Sequence, residues 1–329
     1  MSYLGPTLQC FFAERLVRER RASAFTIGAY RDTFRLLIAF AHERTGKAPS
    51  RLDFADIDAP LIGAFLEHLE RDRQNSIRTR NVRLAAIHSF FRYAAFKHPE
   101  HAADIQRVLA IPSKRFERAL IAFLDRRELM ALLSAPDRTT WTGRRDHALL
   151  LLALQTGLRL SELTGLAIGD LDLSASPHIR AHGKGRKERI TPLTRQTVST
   201  LRIWLRERGG GPADPLFPTR TGRRLSPDAV QLLVRNHAAA AQSACSSLRG
   251  KTVTPHVLRH TCAMQMLHSG VDTTVIALWL GHESIAATQM YLHVDLTLKE
   301  RALARTAPVN TKPGRFRPSD TLVAFLQRL

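Results

Sequence analysis

Apolar residues in the first hundred positions recur three and four apart, the spacing of one face of an α-helix. Leu8 to Arg20 is one predicted helix. Thr26 to Glu43 is a second, with Tyr30, Phe34, Leu37, Ile38 and Ala41 along one stripe. A third starts near Pro60, a residue suited to a first helical turn, and carries Ile62, Phe65, Leu66 and Leu69. Asn75 to Phe96 is a fourth, apolar at Ile87, Phe90, Phe91 and Ala94, with Arg78, Arg80 and Arg83 upstream. No strand-like alternation interrupts them, so residues 1–98 read as a small all-helical domain. From His98 to Phe116 the pattern breaks at Pro99, Pro112 and the basic Ser113-Lys114-Arg115, which predicts a linker over 99–124.

Beyond the linker, Asp125 is a candidate cap for a helix to Leu133. Arg144 to Gln155 is a strongly apolar helix ended by Gly157. The texture then changes. Ala167–Leu173, His178–His182 and Glu188–Leu193 are short strand-like runs separated by glycine and polar residues. Helical periodicity returns over Arg195–Glu207, Pro227–Gln242, Pro255–His268 and Thr273–Leu280, the last stopping at Gly281. The expected fold class is mostly α (α+β): a helical first domain, then a mixed α/β domain over 125–305 with a small antiparallel sheet. In the tail, 306–329, Ser319 can cap a short helix carrying Leu322, Phe325, Leu326 and Leu329. So short a helix is not stable alone and must dock, on its own domain or on a neighbouring copy.

Composition narrows the partner. Apolar residues make up 44% of the 329, enough for a packed core in each domain. The net charge is +20, spread over every region, and arginine greatly outnumbers lysine. Such an excess favours a polyanion, nucleic acid first, and guanidinium forks suit phosphate oxygens. The cysteines Cys10, Cys245 and Cys262 show neither disulfide nor zinc spacing. No apolar run is long enough for a membrane span and no signal-peptide layout opens the chain, so the cytoplasm is the expected compartment.

Four short motifs carry candidate chemistry. In Thr156-Gly157-Leu158-Arg159-Leu160-Ser161-Glu162, a glycine ends one helix and Arg159 opens the next, with Glu162 one turn on to orient it. Alone, that spacing describes a surface ion pair. Gly183-Lys184-Gly185-Arg186-Lys187-Glu188-Arg189 falls between two predicted strands as a hairpin tip: a solvated basic turn, or a cation brought to DNA. It lacks the order of a phosphate-binding P-loop. His256-Val257-Leu258-Arg259-His260 follows Pro255 at a helix start. A zinc site on two histidines four apart needs glutamate after the first, and Val257 stands there. Leu280-Gly281-His282 precedes Thr288-Gln289-Met290-Tyr291, with His282 and Tyr291 nine residues apart. Singly, such a histidine or tyrosine is ordinary packing.

In this order, the motifs resemble the tyrosine recombinase (phage integrase) family, near its Xer-type and transposon integrase branches. The resemblance covers roughly 125–300; over 1–110 it extends only to type, a helical, SAM-like core-binding domain. It implies a site-specific DNA recombinase acting through a 3′-phosphotyrosyl intermediate. The implied catalytic set is Arg159, Lys184, His256, Arg259, His282 and the nucleophile Tyr291, with no metal and no cofactor. The implied partner is a double-stranded DNA recombination site, held by a homo- or hetero-tetramer on paired sites, with a partner recombinase as one option. A topoisomerase using the same chemistry and a regulator without chemistry are the alternatives. The complete set argues against the regulator, and chain size and the helical first domain favour recombination over relaxation.

Overall fold

The computed structural model describes residues 4–116, 122–183, 188–282 and 288. The chain divides into two compact units, Met1–Ala119 and Leu120–Leu329. The hairpin tip at Lys184, the nucleophile candidate Tyr291 and the tail helix after Ser319 lie outside the described residues.

The first unit is helical. Helix α1 (Leu4–Cys10) runs into a π-helical stretch, Phe11–Glu19, followed by α2 (Ala24–Thr45), α3 (Ala59–Arg71), α4 (Ile77–Lys97) and α5 (Ala102–Leu109). Ser23, Asp58 and Ser76 cap α2, α3 and α4, each accepting a hydrogen bond from the backbone N–H three residues on. Phe11, Phe34, Phe54, Phe65, Phe90 and Phe91 are all buried in one core. Phe34 and Phe90 meet edge to face at 5.2 Å, a favoured aromatic geometry.

The stretch expected as a linker is partly structured. Helix α5 occupies 102–109 and buries Ile105 and Val108 in the core of the first unit. Pro99 opens the turn that leads into it rather than ending order there. Pro112 is held as well, because the buried Arg80 donates from Nη1 to its carbonyl at 3.0 Å. Two prolines hid a two-turn helix that sets Ile105, Val108 and the partly buried Leu109 against that core.

The second unit contains α6 (Arg126–Ser134), α7 (Trp141–Thr156), α8 (Leu160–Gly165), strands β1 (Leu171–Asp172), β2 (His178–His182) and β3 (Glu188–Pro192), then α9 (Arg195–Arg208), α10 (Pro227–Ala241), α11 (Pro255–His268) and α12 (Thr273–Leu280). The strands form an antiparallel sheet in the order β1-β2-β3, with Ala181 opposite Arg189 and His182 opposite Glu188. Of the strand expected over 167–173, Leu171–Asp172 joins the sheet and Ala167 makes an isolated antiparallel bridge with Pro215. Ile168–Asp170 is a 3₁₀ turn, fixed by Asp170 accepting from the Ala167 N–H at 2.8 Å. Helix α7 is buried from Ala148 to Leu154, which explains its unbroken apolar run. Asp125 caps α6 in a reciprocal box with Glu128. Glu128 also accepts from Lys251 Nζ at 2.6 Å and Ser247 Oγ at 2.7 Å. Mostly helical with one small antiparallel sheet, the chain has the fold class its patterning predicts.

Candidate active site

The site is built on two helix ends. Helix α7 stops at Gly157, whose φ of +62° lies in the left-handed region that favours glycine. A Cβ there would sit 2.5 Å from Leu280 Cδ2, so any other residue would strain the backbone and also have to displace the buried Leu280 side chain. Arg159 follows as the residue before α8. Its backbone N–H donates to Glu162 Oε2 at 2.7 Å and its Nη1 to Glu162 Oε1 at 2.9 Å. Glu162 is not the exposed partner of a surface ion pair, since its side chain is only 2% exposed.

Helix α12 ends in a second left-handed glycine, Gly281. The His282 N–H bonds the Ala277 carbonyl at 2.9 Å and the Gly281 N–H bonds Leu278 at 3.1 Å, a Schellman closure. The next carbonyls point into a cluster of guanidiniums. Arg189 Nε donates to Trp279 O at 3.1 Å, Arg259 Nη2 to Leu280 O at 2.8 Å, and Arg159 Nη2 to Gly281 O at 2.6 Å. A helix C-terminus carries negative partial charge, so cations belong there. Arg259 also donates from Nη1 to Gly157 O at 2.6 Å, tying both glycine-ended helices to α11.

Helix α11 starts at Pro255, capped by Thr254, and this aims its first turn into the same place. Arg159, His256 and Arg259 line one cleft of about 440 Å³ with Leu158, Leu160, Gln231, Thr254 and Pro255. His256 packs edge to face on His260, ring centroids 4.1 Å apart. His282 is hydrogen-bonded through Nδ1 to Thr288 Oγ1 at 2.7 Å. A larger groove, about 970 Å³ between α6 and the 244–247 turn, contains none of the candidate residues.

The electrostatics follow from burial among cations. His282 is held at about 4, first by burial and then by Arg259, Arg159, Arg189 and His256. His260 is likewise held at about 4 by burial, His256, Arg259 and His282. Both are therefore neutral at pH 7. Burial alone would raise the Glu162 carboxyl, but hydrogen bonds and charge from Arg189 and Arg159 override it and hold the group at about 2. Among the described residues no cluster of three or more His, Cys, Asp or Glu is arranged to hold a metal ion.

Four of the six site residues proposed from sequence, Arg159, His256, Arg259 and His282, are thus gathered around the ends of α7 and α12. Lys184 and Tyr291 lie outside the described residues. One participant was missed. Arg189 looked like one more charge of a basic tip, yet it bonds both oxygens of Glu162, Nη1 to Oε1 at 2.7 Å and Nη2 to Oε2 at 2.8 Å. Its inward direction follows from the register: Arg189 pairs with Ala181, which is fully buried two residues after buried Ile179, so the opposite residue must face inward.

Known proteins identify the class. The pattern of the phage integrase family matches residues 122–297, and that of the phage integrase N-terminal SAM-like domain matches 11–98. The chain belongs to the phage integrase family, the tyrosine recombinases, enzymes of site-specific DNA recombination. Among its relatives is a Sinorhizobium fredii protein named as integrase/recombinase y4rC, 58% identical over 326 residues, covering 99% of this chain and 98% of that protein. Tyrosine recombinase XerC of Pelobacter propionicus is 36% identical over 286 residues, covering 87% and 90%. In fold, the chain is similar to the XerH recombinase solved on its palindromic difH substrate after cleavage (TM-score 0.66, 24% identity, 87% of this chain and 81% of that one). It is also similar to the Tn1549 transposon integrase on transposon right-end DNA (TM-score 0.67, 17% identity, 90% and 98%). Among the described residues no helix is long and apolar enough to cross a membrane.

Proposed function

We propose that this chain binds a double-stranded recombination site, cleaves it by attack of Tyr291 and rejoins the ends in a new pairing. The observation that carries this is the convergence of Arg159, Arg259 and His256 on one cleft, beside the helix end that leads to His282 and, nine residues on, Tyr291. A phosphodiester is anionic and gathers further charge on its non-bridging oxygens as it reacts, so catalysis is mostly positioning and charge stabilisation. Arg159 and Arg259 supply guanidinium forks for those oxygens. The Tyr291 hydroxyl attacks phosphorus, and the bond from phosphorus to the 5′ oxygen breaks. A phenol ionises near pH ~10, so its proton must leave during attack, and His256 is the base that receives it. Lys184 gives the departing 5′ oxygen its proton. His282, neutral before DNA arrives, donates a hydrogen bond to the phosphate or to Tyr291. The 3′-phosphotyrosyl ester conserves the energy of the broken linkage, so rejoining needs no ATP. Lys184 and Tyr291 enter through motif order alone.

Several relatives are solved on DNA, among them the XerH and Tn1549 proteins and a lambda integrase dimer on a core site. By that analogy the partner is duplex DNA; a homo- or hetero-tetramer on paired sites is what the resemblance of the motifs implies, and the cytoplasm is the compartment expected from the sequence. The test uses nicked duplexes recovered from a random pool by binding to the protein. Tyr291→Phe is expected to form no covalent adduct while binding the same duplexes nearly as well; an adduct with the phenylalanine variant would reject the assignment.

A further inference from the structure

We infer that Arg189 is a positioning residue for cleavage, acting through Glu162 to hold Arg159 against the scissile phosphate; this rests on the role proposed above for Arg159. Arg189 does not line the cleft that Arg159, His256 and Arg259 share. Its side chain is 13% exposed against 35% for Arg159, so it stands behind the reacting face. Its contacts run to the parts that fix Arg159. Nη1 and Nη2 bond Glu162 Oε1 and Oε2, at 2.7 and 2.8 Å. The same two oxygens take Arg159 Nη1 and the Arg159 backbone N–H. Nε bonds the Trp279 carbonyl, two residues before the Gly281 carbonyl that Arg159 holds. Arg189 therefore ties β3 to the start of α8 and to the end of α12, the two anchors of Arg159.

Gly281 adds an independent observation. A Cβ at this position would come within 3.0 Å of Arg189 Nη1 and 3.3 Å of Cδ. The helix end thus leaves room for the Arg189 stem as well as adopting a left-handed turn. A lysine could keep one ion pair to Glu162 but not two parallel bonds plus the carbonyl bond, because an ammonium is a point charge on a flexible stem. A displacement of a reacting group by about 1 Å costs on the order of 10²-fold in rate. Loss of the Arg189 fork is expected to cost cleavage that much while leaving DNA affinity within about twofold, since the cleft keeps its own cations.

The decisive experiment compares two substrates in the full-length protein. Arg189→Ala, Arg189→Lys, Arg159→Ala and the double alanine variant are assayed for strand cleavage on the selected nicked duplex. Each is assayed again on the same duplex carrying a methylphosphonate at the scissile position. A methyl in place of a non-bridging oxygen removes the charge that Arg159 balances, so a defect in that balance shrinks on the neutral substrate. Each variant is its own control, and any unfolded fraction cancels in the ratio. The expected result is that Arg159→Ala and Arg189→Ala both recover relative to wild type, that Arg189→Lys falls between, and that the double variant is no worse than Arg159→Ala. If Arg159→Ala recovers and Arg189→Ala does not, Arg189 is only structural and the inference is overturned. If Arg159→Ala loses no cleavage on the ordinary phosphodiester, the role proposed for Arg159 fails first and the inference falls with it.

Discussion

Replacing Glu162 with glutamine should destabilise the second unit by about 3 kcal/mol or more. Holding this carboxyl at about 2 rather than at its ordinary 4.5 corresponds to about 3 kcal/mol at neutral pH. The side chain is 2% exposed, so solvent screening takes little of it away. A second route gives the same size. Both oxygens accept two donors each, so an amide nitrogen in either place would face two N–H groups, and breaking a buried ion pair from one side costs about 3–5 kcal/mol. The assay is urea unfolding followed by tryptophan fluorescence. Trp141, Trp204 and Trp279 are the tryptophans of the chain and all lie in the second unit, so the signal reports that unit alone. The sign with pH is fixed. Glu162 has a depressed folded value, so its contribution is present above about 4.5 and is lost as pH falls through about 2. The gap between wild type and Glu162→Gln should be widest near neutrality and narrow on acidification below 4.5. A gap under 1 kcal/mol at pH 7, or one that stays constant into acid, would refute the reasoning.

Other consequences follow from the same contacts. Gly157→Ala combines a left-handed φ with a Cβ 2.5 Å from Leu280, and should cost about 2–3 kcal/mol in the same unfolding assay, with cleavage falling as α12 shifts. His260 is held at about 4 and titrates in the unfolded chain near 6.5, so the unfolded state takes up its proton first as pH falls. His260→Gln should therefore flatten the loss of stability between pH 6.5 and 4, a difference of up to about 3 kcal/mol readable from urea midpoints across that window.

Much of this was legible in order along the chain. Pro60 and Asp125 announce helix starts, the first by its fixed φ and the second because its side chain satisfies a first-turn N–H group, and Gly157 and Gly281 announce helix ends because they accept a left-handed turn. Arg159 and His282 follow the two glycines and His256 follows Pro255 at the start of α11, with Arg259 three residues further on, which is why motif order located them. Harder to see were features decided across space. Helix α5 does carry the i, i+3, i+4 spacing at Ile105, Val108 and Leu109, but only for two turns between Pro99 and Pro112, which read as breaks. Arg189 was obscured by the opposite effect, a strand whose apolar Ile190 points outward at 65% exposure while Arg189 and Thr191 face in. The charge is tolerated there because Glu162, distant in sequence, is waiting for it.

The most direct test of the central claim is to identify the residue that carries the DNA. The adduct trapped on a nicked duplex is digested with nuclease and trypsin and its peptides are weighed. Trypsin should release residues 260–299, between Arg259 and Lys299, and Tyr291 is the only tyrosine in that peptide; Tyr3, Tyr30 and Tyr93 all lie in the first unit. The account predicts a nucleotide remnant on peptide 260–299, fragmenting to phosphotyrosine at Tyr291. A remnant on any other peptide, or on a serine, threonine or histidine of this one, would contradict it.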